Sequence, residues 1–203
     1  MPDFLNLQYE MFEGVGQYNI PQIEPTYKVN VDKWIEFNFV KTRMHKDGVG
    51  VHFFIYDQQF ERCWNFPKRY ATALRPFSCV LSPDFSMYTD FPRAACIFNH
   101  YRKHWLGAYW QELGLTVIPT IGWIDKESYE WCFDGEPEGS IVAVSNVGCM
   151  RSEESRKRFK EGYNEMLIRL QPKEVLFFAQ RIDDYKGNVR FIKTEWDKHN
   201  QVG

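Results

Sequence analysis

Short apolar runs alternate with helical stretches along most of this chain, and that alternation restricts the fold more than any other feature. The runs "GVGVHFFIYD", "FSCVLSPDFS", "LTVIPTIGW", "GSIVAVSNVGC" and "EVLFFAQ" are apolar at nearly every residue, not at every second one. A strand of that kind has both faces covered, the condition of a strand in a parallel sheet sandwiched by helices. "WIEFNFV" and "NVRFIKTEW" read as two further strands, before and after this series. The expectation is an α/β fold with a largely parallel sheet and flanking helices. Six or seven strands fit either an open doubly wound sheet or an incomplete (β/α)-barrel-like one. A full eight-stranded barrel typically takes about 250 residues, and this chain has 203.

The stretches between the strands carry helix punctuation. "QQFERCWNFPKRYATAL" reads as one or two short helices broken at Pro67. A long helix starts at Pro92 with Asp90 as its N-cap and ends at Gly114. "DKESYEWCFDG" is helical, and "SEESRKRFKEGYNEMLIRLQP" is an amphipathic helix. Ser152, with Ser155 near, opens it as a capping box, and Pro172 stops it. Residues 1–27, with Gly14, Gly16, Pro21 and Pro25, read as an arm laid on the domain through Phe4, Tyr9, Phe12 and Tyr18. Residues 28–203 then form a single domain.

Bulk properties exclude several classes of function. With 44% hydrophobic and 17% aromatic residues the chain supports a substantial core. A net charge of −2, from 25 basic and 27 acidic side chains, supplies no field for general nucleic-acid binding. Five cysteines with no C-x-x-C pair read as reduced, mostly buried thiols of a cytoplasmic protein. No secretory signal opens the sequence, and no apolar run approaches the roughly 20 residues that span a bilayer. G-x-G-x-x-G, Walker A, G-x-S-x-G and H-E-x-x-H motifs are absent.

In parallel α/β folds functional groups collect beyond the carboxyl ends of the strands. Here those ends are polar: Tyr56-Asp57-Gln58, then Ser82-Pro83-Asp84-Phe85-Ser86 with Tyr88 and Asp90, then Pro119-Thr120-Ile121-Gly122-Trp123, then Ser145-Asn146 with Arg151, then Gln180 and Arg181. The pattern predicts a shared pocket. Asp57 and Asp84 end adjacent strands, where two carboxylates suit acid–base work or a divalent cation. Arg102 and Arg151 would hold an anionic group, and Tyr88 and Trp123 would stack on a ring. Ser82, Ser86, Asn99, Thr120 and Ser145 would supply hydrogen bonds. The same residue types also end strands simply because they make turns and caps.

Other groupings point to packing. Cys96, His100 and His104 recur every fourth residue on the long helix, so they share a face. Over two turns they span about 12 Å, too far for one ion to touch all three. His100 and His104 would need a ligand from elsewhere, and no metal is assigned to them. Tyr101, Trp105, Tyr109 and Trp110 fit a core face, and "RSEESRKRFK" a solvated one.

Several stretches together resemble a known family: "GVHFFIYDQQFERCWNFPKRY", "CVLSPDFSMYTDFP", "NHYRKHWLGAYWQELGLTVIPTIGW", "CFDGEPEGSIVAVSNVG" and "MRSEE". The resemblance is to an uncharacterised domain family carried by phages, plasmids and integrated elements of Gram-positive bacteria. It covers Gly50 to Phe178 and includes Asp57, Ser82 through Ser86, Asn99, Arg102, Thr120, Trp123 and Ser145. Cys96, His100 and His104 fall outside its pattern. It implies a mobile-element protein of the bacterial cytoplasm and supplies no activity or cofactor. Two expectations follow. The chain binds, with or without transforming it, a small polar ligand such as a nucleotide at its strand ends; or it is a non-enzymatic accessory or host-directed factor that binds a host protein or nucleic acid, with no membrane involved.

Overall fold

Among the described residues, seven parallel strands follow one another across the fold in the order in which the chain makes them. The computed structural model describes residues 5–178 and 185–192. The strands are β3 (Lys33–Glu36), β4 (Val49–His52), β5 (Cys79–Leu81), β6 (Val117–Ile118), β7 (Ile141–Ser145), β8 (Glu174–Phe178) and β9 (Val189–Ile192). β3 to β6 form one hydrogen-bonded sheet and β7 to β9 a second, and a single parallel bridge, Thr120 to Ala143, links them. β1 (Gly14–Val15) and β2 (Ile20–Pro21) make a small antiparallel pair upstream. Gln180 and Arg181, the expected end of one strand, lie outside the described residues, as do Phe4 and the chain after Ile192.

Among the described residues the strand order never reverses and no doubly wound switch point arises. The sheet instead rolls. Trp34 on β3 meets Phe178 on β8 edge to face at 5.3 Å, and His52 on β4 lies 5.2 Å from the same ring. No ladder closes β9 onto β3 among the described residues, which makes this the incomplete barrel-like form. Gly50 is required by the roll, because a Cβ there would come within 2.7 Å of the Trp34 ring. Residues opposite one another in register share a face. Trp34, Cys79, Leu81, Ile118, Ala143, Leu176, Phe178 and Ile192 fill the concave side. Val142, Val144, Val175 and Phe177 face outward and join a second apolar cluster with residues of α4.

Helices α1 (Asp57–Asn65) and α2 (Pro67–Leu74) join β4 to β5, with Pro67 starting α2 as expected. α3 (Arg93–Glu112) joins β5 to β6, and α4 (Glu153–Leu170) joins β7 to β8. Ser152 caps α4 in a box closed by Ser155, and Gln171 ends it in a left-handed conformation just before Pro172. α3 is buried nearly all round from Cys96 to Trp110, as a helix covered on both sides must be. One side lies on the sheet. The other is covered by the N-terminal segment, where Tyr9 packs on Trp105 and Tyr109 and Phe12 packs on Trp105.

Local details differ from the sequence expectations. "WIEFNFV" is a strand only to Glu36 and then turns into a 3-10 helix, Phe37–Phe39, whose Phe37 stacks on Phe53. Pro92 itself occupies the N-cap position of α3, and no side chain caps it, Asp90 included. The stretch after Trp123 is a 3-10 helix, Lys126–Glu130, capped by Asp125. All five cysteines are free, and four are buried.

Candidate functional site

The loop after β5 is pinned at every residue except one. Ser82 is fully buried, its Oγ accepting from Thr120 N at 2.8 Å while the Thr120 hydroxyl donates back to the Ser82 carbonyl. This pair locks the ends of β5 and β6 together. Phe85 is buried against Phe60, with the Arg102 guanidinium 4.0 Å above its ring. Ser86 is held on two sides: its N–H and hydroxyl donate to the two carboxylate oxygens of Asp57, and its carbonyl accepts from Asn99 Nδ2. Between these anchors the Phe85 N–H donates to the Pro83 carbonyl in a three-residue turn centred on Asp84. No hydrogen bond to the Asp84 carboxyl is formed among the described residues.

Asp84 therefore stands alone at a rigid strand end. It is partly open to solvent yet ringed by protein. Burial lifts its proton affinity to about 7, Lys103 opposes the rise, and Asp57 adds to it. A carboxyl balanced between its two forms near neutrality is suited to proton donation and acceptance.

The other expected residues fall into distinct positions. Asp57 is the first residue of α1, not the end of a strand, and its carboxylate is engaged by Ser86. Arg102 is buried, paired to Glu61 at 2.6 Å and hydrogen-bonded to Asn99 Oδ1, so its charge braces the loop from behind. Desolvation lowers its pKa, and the Glu61 carboxylate opposes that. Thr120 and Ser82 serve each other. Trp123 packs on Phe159, and its ring lies against Gly162 of α4. Ser145 accepts from the Val147 N–H. Tyr88 is exposed and stacks edge to face on Phe91, and Arg151 is exposed before α4. Tyr56, on the neighbouring loop, is 75% exposed. A rim of accessible aromatic side chains thus belongs to the loops around Asp84.

Three residues that the sequence reading passed over complete the surroundings. Lys103 is buried, and its ammonium donates to the Thr120 carbonyl at 2.7 Å and to Glu136 Oε1 at 2.6 Å. Glu136 has a fully buried side chain, and Glu61 neutralises Arg102. A lysine inside a run of aromatic helix residues gives no sequence signal of a buried ion pair, because its partner lies 33 residues away. A separate surface groove runs along α4, lined by Arg156, Lys157, Asn164 and Tyr185 among others, and holds none of the strand-end residues. Among the described residues no helix is long and apolar enough to cross a membrane.

Comparison with known proteins gives the sequence a lineage. A profile described as "Domain of unknown function (DUF4417)" matches residues 12–195. The chain is 37% identical over 204 residues to the Gene 1 protein of Mycobacterium phage L5, covering 98% of this chain and 88% of the relative. It is 36% identical over 206 residues to the Gene 1 protein of Mycobacterium phage D29, covering 98% of this chain and 75% of that protein. No solved structure matches.

Proposed function

We propose that this chain, which belongs to the DUF4417 family and has mycobacteriophage proteins as relatives, binds a small polar, nucleotide-like ligand at the carboxyl ends of its strands. The observation that carries this reading is Asp84, whose carboxyl takes no hydrogen bond among the described residues of a pinned loop, with its proton affinity raised to about 7. Tyr56 and Tyr88 supply ring surfaces at the rim. Ser86 and Asp57 fix the loop, and Arg151 offers an exposed cation to an anionic substituent. Where the ligand is transformed, Asp84 is the acid or base. Where a divalent cation takes part, Asp84 and Asp57 are the carboxylates that would hold it. The reading puts the protein in the bacterial cytoplasm, supported by its five free cysteines.

The second reading, a non-enzymatic factor that docks on a host protein or nucleic acid, draws on the exposed Tyr56, Tyr88 and Phe91, which would then be contact residues. A thermal-shift screen separates the two. Wild type and Asp84→Asn are melted with nucleosides, nucleotides and sugars, with and without Mg²⁺. A ligand at about 100 times its Kd adds about 2.7 kcal/mol of apparent stability, which raises Tm by several degrees. A rise in wild type that is absent from the folded variant is the expected result. No rise with any compound class, combined with capture of a partner through Tyr88, would replace the first reading with the second.

A further inference from the structure

A second polar cluster lies where α3 meets the turn at 131–136 and the N-terminal segment. His100, His104 and Glu136 are all buried there, and one ligand atom from each lies within 4.8 Å of the other two. The partners of the two rings define their protons. His100 Nε2 is 3.1 Å from the Asp134 carbonyl and His104 Nδ1 is 2.9 Å from the Pro21 carbonyl. A carbonyl only accepts, so each of these nitrogens carries the hydrogen, and a neutral ring then keeps a lone pair on its other nitrogen. For His100 that other nitrogen is Nδ1, buried with no hydrogen-bond partner among the described residues. For His104 it is Nε2, 3.0 Å from Glu136 Oε1. Burial lowers the pKa of both histidines, which favours the neutral rings. A neutral His104 thus presents a lone pair to a carboxylate. Glu136 Oε2 is itself buried without a hydrogen-bond partner. Three lone-pair donors converge, and the Lys103 ammonium answers this cluster at Glu136 Oε1.

We propose that His100 Nδ1, His104 Nε2 and Glu136 bind a zinc-class divalent cation that ties α3 to the 131–136 turn. Two imidazoles with one carboxylate suit Zn²⁺ better than Mg²⁺ or Ca²⁺, which take oxygen ligands. Tetrahedral bonds of about 2.0–2.1 Å place ligand atoms about 3.4 Å apart, so modest side-chain shifts seat the ion. The i, i+4 histidines come from one helix and the third ligand from outside it, which removes the linear-array objection that Cys96 raised. Cys96 turns instead toward the Tyr88 carbonyl. The outer contacts are those of ligating histidines, whose second ring N–H is held by an acceptor such as a backbone carbonyl. Lys103 holds Glu136 by Oε1 and leaves Oε2 for the ion. Asp134, whose Oδ2 is buried without a hydrogen-bond partner among the described residues, adds a further carboxylate beside the cluster. Because Pro21 accepts from His104, the ion also steadies the arm. The site is separate from the proposed ligand site at Asp84, and either stands without the other.

The test uses the full chain and the metal alone. Protein purified without chelator is assayed for bound metal, then stripped, refolded and titrated with Zn²⁺ or Co²⁺. The expected result is one ion per chain, visible bands of tetrahedral Co²⁺ and a raised Tm. His100→Gln, which keeps a donor for Asp134, and Glu136→Gln each weaken binding about 100-fold or more, above the 10–100-fold typical of outer-contact losses. His100→Gln melts within a few degrees of the stripped wild type, which separates lost ligation from lost folding. His52→Gln, remote from the cluster, keeps full binding. A chain that carries no metal as purified and takes up neither ion on refolding overturns the proposal. So does unchanged zinc affinity in both variants, since the ion then sits elsewhere.

Discussion

Replacing Asp84 by Asn should stabilise this protein, and increasingly so as the pH rises. The ordinary carboxyl value is 3.8, and in the folded chain it is raised to about 7, chiefly by burial. The folded state therefore holds this proton more tightly than the unfolded one. Below pH 4 both states are protonated and the group contributes nothing. Between about 4 and 7 the unfolded chain ionises while the folded one does not, and folding stability falls by about 1.4 kcal/mol per pH unit. Above pH 7 the loss is constant, at about 4 kcal/mol as an upper bound. The penalty is about 2 kcal/mol at pH 5 and about 4 at pH 8.5. Solvent screening of a partly open carboxyl brings the difference between those two pH values to about 2 kcal/mol. Asn removes the titration and preserves the shape. Urea unfolding of wild type and Asp84→Asn across this range isolates Asp84, because the buried histidines titrate alike in both proteins. The variant should gain about 2 kcal/mol on wild type between pH 5 and 8.5. A stability difference that stays flat across pH would refute the claim that the strand end desolvates this carboxyl. Such a penalty, borne at neutral pH by one residue, is the trade expected of a group retained for what it binds.

Other residues give independent tests. Lys103→Met leaves Glu136 buried without its cation and the Thr120 carbonyl without its donor; denaturant melts should show a loss of about 3–5 kcal/mol, and a loss under 1 would mean the pair contributes no stability. Asp57→Ala removes two charge-assisted hydrogen bonds to Ser86, so we expect about 2–3 kcal/mol of destabilisation and faster amide exchange at Ser86. In Gly162→Ala the new methyl would come within 2.2 Å of Trp123, and overpacking should lower stability by about 1–3 kcal/mol and shift the tryptophan emission; an unchanged spectrum would show that the ring is loosely held. His52 is buried with its pKa lowered to about 4 from 6.5, so the folded state resists its protonation; stability present above pH 6.5 is lost as pH falls toward 4, and His52→Phe should flatten that acid limb.

The parallel α/β class was legible because apolar runs such as "GSIVAVSNVGC" state that both faces of a strand are covered. The incomplete-barrel form was one of two readings, and the choice turned on strand order, which depends on long-range packing such as Trp34 on Phe178. Element ends were less legible. Phe37 reads as strand but closes a 3-10 turn because it stacks on Phe53 and Tyr70. Asp57 reads as a strand end because it follows "FFIY", yet it opens a helix and faces a loop 29 residues on. The polar strand ends directed attention to the loop that carries Asp84. Their division of labour was hidden, since only coordinates distinguish a serine that braces, such as Ser82, from a carboxyl left without a partner. Lys103 and Glu136 were invisible for a related reason: a charge announces burial only through a mate that is remote in the chain.

The matching of strand order to chain order bears on how the protein is made. Each strand docks on the one synthesised just before it, so the sheet grows at one edge as the chain emerges and no later strand must be threaded between earlier ones. The exception is the N-terminal segment. Ile23 donates to Gly135, and Thr26 is tied to Ser140 across 114 residues. These early residues thus reach some of their final contacts only after residues more than a hundred positions later have been made. Until residues 135–140 leave the ribosome, the cover over Trp105 and Tyr109 rests on its contacts with α3, such as Trp105 Nε1 on the Glu10 carbonyl and Gln111 on Glu24, without its ties to Gly135 and Ser140. A stall before residue 135 would leave that aromatic face under a cover fastened at one side alone, easier for a chaperone or neighbour to displace.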